Sequence, residues 1–397
     1  MTVRSALLGE VVDFYAGSSL PEGEDWQGQE GGYLLTRVSD MNRSGNEKYI
    51  LTTRQWSAAP WQKSATCPGG AVVIPKRGGA IGTNKKRIVQ RAAVLDPNLM
   101  AMKPHQDVLD LNYLYQWFLA VDLGKLVSGS SVPQLNKKDL APLPIPLPSL
   151  AQQERIAAIL DQVDTLRAKR REAIALLGDL TQSTLMHVFR SEDYPKEQLS
   201  EVVREGTIVT YGIVQAGDEF EGGVPYIRTG DLKEGEIVTD GLRHTDPSIA
   251  AKFVRSRVDA GDIVMSIRAT VGTTALVPVE LDGANLTQGT ARIAPGDKVT
   301  REYLLAYLRS HAAQSWIQRQ VKGATFREIT LGKLRELEVP LPPLTRQLEF
   351  AQRVQAVEAQ LAVYRTHLAA LDELFASLQH RAFSGTLWDH EATGEAA

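Results

Sequence analysis

The densest run of side chains able to do chemistry lies between Lys76 and Leu95. Lys76, Arg77, Lys85, Lys86, Arg87 and Arg91 occur there with no acidic residue among them, interleaved with Gly78, Gly79, Gly82, Thr83 and Asn84. Glycines let a backbone approach phosphates closely and basic side chains neutralise them, so the chemistry on offer is nucleic-acid binding rather than bond making. The same run would also serve as a solvated charged face. Further along the chain, Arg268, Thr270, Thr273 and Thr274 surround Gly272 with less charge but the same glycine-polar texture. Two more loops share it: Ser128-Gly129-Ser130-Ser131-Val132-Pro133-Gln134 and Lys322-Gly323-Ala324-Thr325-Phe326-Arg327-Glu328. Short hydroxyls there suit phosphates or base edges, and Gln134 and Arg327 have the side chains that read adenine and guanine bidentately. An ordinary turn feeding a strand would look the same. The candidate DNA contacts are therefore Lys76, Arg77, Thr83, Asn84, Lys85, Lys86, Arg87, Ser130, Ser131, Gln134, Arg268, Thr270, Thr273, Lys322, Thr325 and Arg327, together with Arg37 and Arg228.

Catalytic signatures are missing from the sequence. Gly78 to Lys85 has the wrong spacing for a phosphate loop of the form GxxxxGK[ST]. Asp96-Pro97-Asn98-Leu99 lacks the second proline and the aromatic that would hold a flipped base, and reads as a tight turn. The seven histidines include no HExxH, and the acidic stretch from Asp218 to Glu236 reads as a solvated loop. No catalytic residue, metal site or cofactor is expected on this chain. The net charge of −3 argues against a globally basic nucleic-acid binder, so any contact must be local. The single cysteine, Cys67, forms no disulfide within the chain, which suits a reducing compartment. Glu10 and Asp13 interrupt the N-terminal apolar stretch, and no segment approaches the ~18 uncharged apolar residues of a membrane span. A soluble, cytoplasmic protein is expected.

The elements that position these loops come in two copies. Pro146-Leu147-Pro148-Ser149-Leu150 matches Pro340-Leu341-Pro342-Pro343-Leu344, 194 residues on. The match continues without a gap: Gln153 meets Gln347, Val163 meets Val357, Leu177 meets Leu371, Leu180 meets Leu374 and Phe189 meets Phe383. Upstream the same offset pairs Gly129 with Gly323, Leu135 with Ile329 and Leu140 with Leu334. Nearer each start it becomes 191, pairing Glu10-Val11-Val12 with Glu201-Val202-Val203, Arg37 with Arg228, Asp40 with Asp231 and Gly70 with Gly261. The chain is two copies of one unit, most divergent in the middle of the unit.

After each proline motif runs a long stretch with no proline and almost no glycine, which predicts a helix. Its apolar residues recur in heptads. Ile156, Val163 and Leu177 form one seam of the first helix, with Ile159, Leu166 and Leu180 beside it; Phe350, Val357 and Leu371, with Leu361 and Phe375, do the same in the second. Such spacing over several heptads predicts a coiled coil, roughly 55 to 60 Å long at ~1.5 Å per residue. Connectivity predicts an antiparallel pair with one domain toward each end and a pseudo-two-fold relation. The globular parts read as α+β, with strands at Ala71 to Ile74 and Asp262 to Ile267 and helices at Leu111 to Val121 and Arg301 to Arg319. The expected division is a recognition domain over 1–143, a helical region over 144–190, a second recognition domain over 197–337, a second helical region over 338–386 and a tail over 387–397. The basic cluster Arg167, Lys169, Arg170, Arg171 lies mid-helix, facing DNA, acidic groups of a partner, or solvent.

The block Pro144-Ile145-Pro146-Leu147-Pro148-Ser149-Leu150-Ala151-Gln152-Gln153-Glu154-Arg155-Ile156-Ala157-Ala158-Ile159-Leu160-Asp161, echoed by Val339 to Leu344, resembles the helix-opening signature of type I restriction-modification specificity subunits. The helix ends Thr184 to Phe189 and Gln379 to Gly385 are similar to that family too, and the resemblance spans nearly the whole chain. Gln152 departs from the family's glutamate, and Thr345-Arg346-Gln347-Leu348-Glu349-Phe350 is a degraded second copy. The resemblance implies two target-recognition domains, each reading half of a split, asymmetric site in double-stranded DNA. It also implies a non-catalytic subunit whose helices, through the seam residues named above, bind two methyltransferase subunits, with motor-nuclease subunits joining them. Methylation would be at adenine N6, with S-adenosylmethionine held by the partners. Competing readings are a chain that is itself a methyltransferase or nuclease, a specificity subunit of a related split-site system, and a scaffold that binds only proteins.

Overall fold

A computed structural model describes residues 4–127, 133–189, 194–323 and 327–387. The chain divides into two compact units. One comprises residues 1–171 with 367–397 and the other residues 172–366, so each long helix contributes to both. The 387–397 tail lies, Leu387 apart, outside the described residues.

In the first unit a four-stranded antiparallel sheet is built on Leu99–Pro104, flanked by Val12–Ala16 and by Ala71–Pro75, with Arg87–Val89 outermost. Ala71–Pro75 is buried throughout, as its uninterrupted apolar run demands. A second sheet centres on Tyr33–Thr36, which pairs in parallel with Ala93–Leu95 and antiparallel with Gln55–Ser57. Cys67 lies buried at its edge strand, and burial pushes the thiol up to about 12.

The second unit repeats the plan on its own residues. Thr290–Ile293 takes the central place, between Thr210–Tyr211 and Ile263–Ser266, with Thr274–Leu276 outermost. Val224–Ile227 pairs in parallel with Asn285–Leu286 and antiparallel with Arg243–Thr245. The strand expected from Asp262 to Ile267 is the shorter Ile263–Ser266. The helical pattern of Leu111 to Val121 is the helix Leu111–Ala120. That of Arg301 to Arg319 is two helices, Arg301–Arg309 and His311–Gln320. Ser310 adopts an extended conformation and its hydroxyl caps the amide of Ala313, which ends one helix and starts the next.

The proline motifs belong to the domains before they belong to the helices. Pro144–Pro146 pairs with Ser5–Leu7, and Glu338–Pro340 with Lys196–Gln198, each a two-stranded ribbon whose edge tolerates proline's missing N–H. The helices therefore begin later than 144 and 338, at Leu150–Phe189 and Leu344–Ser384. The first opens on a capping box: Ser149 N donates to Gln152 Oε1 (3.1 Å) and Gln152 N to Ser149 Oγ (3.4 Å). Gln152 thus fills the third helical position of the box, where glutamine and glutamate both serve.

Gln153 and Gln347, matched in the sequence, are both fully buried and make the same three bonds. Gln153 accepts from Asp110 N (2.9 Å) and donates to Val108 O (3.0 Å) and Pro148 O (2.9 Å). Gln347 accepts from Thr300 N (2.9 Å) and donates to Lys298 O (3.1 Å) and Pro342 O (2.9 Å). Each amide ties the start of a long helix to the start of its domain's core helix. Tyr113 and Tyr303 on those core helices donate to Pro146 O (3.0 Å) and Pro340 O (2.7 Å).

Within the first unit the two long helices run antiparallel. Gln116 reaches Asp161 on one side and meets Gln379 on the other, while Arg167, later in the first helix, meets Asp372, earlier in the second. Ile156, Leu160 and Val163 share one core with Phe375 and Ala382.

Candidate nucleic-acid interface

Both units join their two candidate loops in the same way. In the first, Arg77 forms an isolated antiparallel β-bridge with Gln134, flanked by Gly78 N to Pro133 O (2.8 Å) and Leu135 N to Lys76 O (2.8 Å). In the second, Arg268 bridges Glu328, flanked by Ala269 N to Arg327 O (3.0 Å) and Ile329 N to Ile267 O (3.0 Å). Loops far apart in sequence thus leave the sheet side by side. Position 78 and its counterpart 269 share a left-handed backbone, φ +71° at Gly78 and +56° at Ala269, so the second unit holds a β-carbon where the conformation favours glycine.

The turn Asp96-Pro97-Asn98, which the sequence shows only as a turn, is part of the first joint. Asn98 O accepts from Lys76 N (2.7 Å), and the Asp96 carboxylate accepts from Asn98 N (2.7 Å) and Val38 N (3.3 Å). Burial raises the Asp96 carboxyl against the lowering by those amides. Asn98 was not among the expected contacts; the offset of 191 pairs it with Gly289, whose carbonyl accepts from Ile267 N (2.9 Å), and that match is the signal that could have found it.

The side chains on these matching backbones differ. Arg77 is exposed and its Nη2 reaches only the neutral amide of Gln134, at 3.4 Å. Arg268 meets the carboxylate of Glu328 at 3.2 Å. The contrast recurs at the other matched arginines. Arg37 Nη2 donates to Gln55 Oε1 (2.7 Å), whereas Arg228 grips Asp231 with Nε (3.0 Å) and Nη2 (2.8 Å). Lys85 bonds the side-chain carbonyl of Asn42, and Lys76 is half-buried with its ammonium near Gly17 O (3.5 Å). Burial and the neighbouring Arg77 both lower the Lys76 pKa. Thr83 is exposed, its hydroxyl on Ala80 O (2.7 Å). Thr270 is exposed and Thr273 half-buried, its hydroxyl on Thr270 O (3.0 Å). Lys322 bridges Glu328 through its backbone, and Arg327 donates to Gln318 (2.5 Å). Ser130, Ser131 and Thr325 lie outside the described residues.

One residue of the basic run, Lys86, is turned inward, which corrects its reading as a surface contact, and Asn84 and Arg87 beside it are half-buried. Lys86 is 1% exposed, and its ammonium donates to Asn84 Oδ1 (2.7 Å) and Val121 O (2.7 Å). Burial brings its pKa down to about 8. Asn84, at φ +52°, spends the same oxygen on Leu123 N (3.0 Å), and Arg87 donates to Lys86 O (2.8 Å) and Met41 O (2.9 Å). A basic run in sequence shows neither which lysine faces in nor what backbone carbonyls await it. These three shape the loop that Arg77, Thr83 and Lys85 present.

On the long helices most seam residues are consumed inside the chain. Ile156, Val163, Phe350, Leu361 and Phe375 are buried, and Ile159, Leu177, Val357 and Leu371 are half-buried. Leu166 and Leu180 stay exposed, as do Leu176, Val363 and Leu374, which the seam assignment omitted. Arg167 and Arg171 both pair with Asp372, at 2.6 and 3.0 Å, and Arg167 lies over the Phe375 ring, so these two cations serve the helix pair. Among the described residues no group of three or more His, Cys, Asp and Glu is arranged to hold a metal, and no helix is long and apolar enough to cross a membrane.

The family described as type I restriction modification DNA specificity domain matches residues 6–176 and again 196–373. The chain is 26% identical over 335 residues to the type I restriction enzyme EcoBI specificity subunit of Escherichia coli, covering 74% of this chain and 69% of that one. It is 25% identical over 318 residues to a putative type I restriction enzyme MjaX specificity subunit of Methanocaldococcus jannaschii, covering 73% and 71%. Its fold is like that of a type I R-M system chain solved for complex assembly and conformational transition (TM-score 0.57, 21% identity, 97% and 98% coverage). It is also like the S subunit of such a system from M. genitalium (TM-score 0.57, 13% identity, 96% of each chain).

Proposed function

Because the chain belongs to the type I restriction-modification DNA specificity family, we propose that it reads a split, asymmetric site in double-stranded DNA, one half with each unit. The observation that carries this reading is the duplicated joint: one backbone arrangement in both units, with Arg77 and Gln134 on one and Arg268 and Glu328 on the other. Equal scaffolds suit equal grooves, and unequal side chains suit unequal half-sites, since base edges are told apart by donor and acceptor pattern.

Chemistry is assigned to partners. Two methyltransferase subunits, one for each copy of the repeat, would carry S-adenosylmethionine and methylate adenine N6, and motor-nuclease subunits would add cleavage. Exposed Leu166, Leu176, Leu180, Val363 and Leu374 on the long helices offer the apolar contact such partners need. The workplace is the cytoplasm, where the DNA lies.

The test is to express the chain with its methyltransferase in a host free of adenine methylation and map modified adenines across the genome. A split motif with two different halves is expected. A continuous or palindromic motif, or methylation by the chain without any partner, would sink the reading.

A further inference from the structure

We propose that residues 134 and 328 are positioning residues that decide whether the arginine facing them is presented to DNA: Gln134 leaves Arg77 available, and Glu328 holds Arg268 back. This deepens the reading of the chain as a two-unit DNA reader and rests on it.

The two positions are equivalent by backbone. Each arginine follows the strand that ends at Pro75 or Ser266, each faces its bridge partner across an isolated β-bridge, and each bridge is flanked by the same pair of backbone hydrogen bonds. What differs is the partner's head group. A guanidinium reads a guanine or a phosphate with a fork of two N–H groups, and a carboxylate is the competitor that best fits that fork. Glu328 Oε2 approaches Arg268 at its Nε, 3.2 Å away, a one-edge ion pair rather than a filled fork, with each side chain about half exposed (46% and 48%). Gln134 supplies one neutral oxygen at 3.4 Å, and its own amide nitrogen is committed to Asn136 (2.9 Å).

The other cations around each bridge do not take the arginine's place. Lys76 is half-buried against Gly17 O and Arg327 is on Gln318, while the exposed Lys322, joined to Glu328 through backbone, stays the same in every variant compared. An ion pair this exposed contributes little to folding, so removing the charge of Glu328 leaves the unit intact while releasing Arg268. At the other matched pair Arg37 donates to Gln55 and only lies near the Asp40 and Asp96 carboxylates, whereas Arg228 is bonded directly by Asp231.

The experiment uses the full chain assembled with its methyltransferase subunits, genome-wide mapping of methylated adenine, and binding to duplexes carrying each single-base change in the mapped motif. Glu328→Gln is expected to change the preference at a position of one half-site by about tenfold, the scale of one bidentate base contact, and to leave the other half-site alone. Adding Arg268→Ala should restore the original preference, which a merely structural role for Glu328 would not produce. Gln134→Glu should weaken discrimination in the opposite half-site by a similar factor. Unchanged motifs and affinities in both variants, with the wild type reading a split site, overturn the inference alone. A wild type that methylates no split site overturns the functional reading and the inference together.

Discussion

At the scale of the residue, buried polar side chains behave in ways their types alone do not foretell. Lys86 is a cation with two acceptors in an interior that disfavours charge, and its pKa falls from an ordinary 10.5 to about 8. The unfolded chain therefore binds this proton more tightly than the folded one, and the native state carries a cost of roughly 3 kcal/mol below pH 8 that disappears as pH rises toward 10.5. Unfolding by denaturant at a series of pH values should show stability increasing from pH 8 to about 9, where the buried Cys67 thiol, pushed up to about 12, begins to offset the gain. Above that the buried tyrosines, with raised pKa values, make it fall. Lys86→Met should remove the rise. Ala269 gives a second prediction. Its left-handed backbone costs an alanine about 1 kcal/mol that a glycine avoids, so Ala269→Gly should stabilise the chain by up to that amount and Gly78→Ala should destabilise it similarly. No neighbour lies where a β-carbon on Gly78 would go, so the effect is conformational. Thermal melts that move the same way for both variants would refute the shared strain.

At the scale of the element, the clamp at the start of each long helix is where the repeat is most faithfully kept. Gln153→Leu or Gln347→Leu would take the side-chain partner from one amide N–H and two carbonyls at buried or part-buried sites. That should cost about 3 kcal/mol or more in each case, measured by denaturant midpoint at unchanged slope. The long helices themselves were legible because breaker absence and heptad spacing are local properties, and the structure places them at Leu150–Phe189 and Leu344–Ser384. Each opens at the leucine that closes its proline motif, as expected, but only the structure shows that Pro144–Pro146 and Glu338–Pro340 pair with strands from the domain starts, more than a hundred residues earlier in the chain. The break at Ser310 was missed because a serine is compatible with a continuous helix, and only its conformation turns it into a cap.

At the scale of the whole molecule, a net charge of −3 coexists with a first unit whose matched arginines meet amides and a second whose matched arginines meet carboxylates. Binding of the assembled complex to DNA should therefore depend on salt chiefly through the first unit. Arg77→Ala and Lys85→Ala should each reduce the slope of log affinity against log salt by about one, and Arg228→Ala by less. Equal slopes for all three would show that the carboxylates do not screen the second unit. The sequence by itself determined the duplicated architecture and the two long helices, because periodicity, breakers and register recur along the chain whatever it packs against. Only the tertiary structure decided that the loops of each unit are stitched by one β-bridge, that Lys86 faces in while Arg77 faces out, and that Glu328 rather than solvent meets Arg268. Those outcomes depend on which carbonyls and carboxylates distant segments bring within bonding distance, and spacing along the chain carries no record of that.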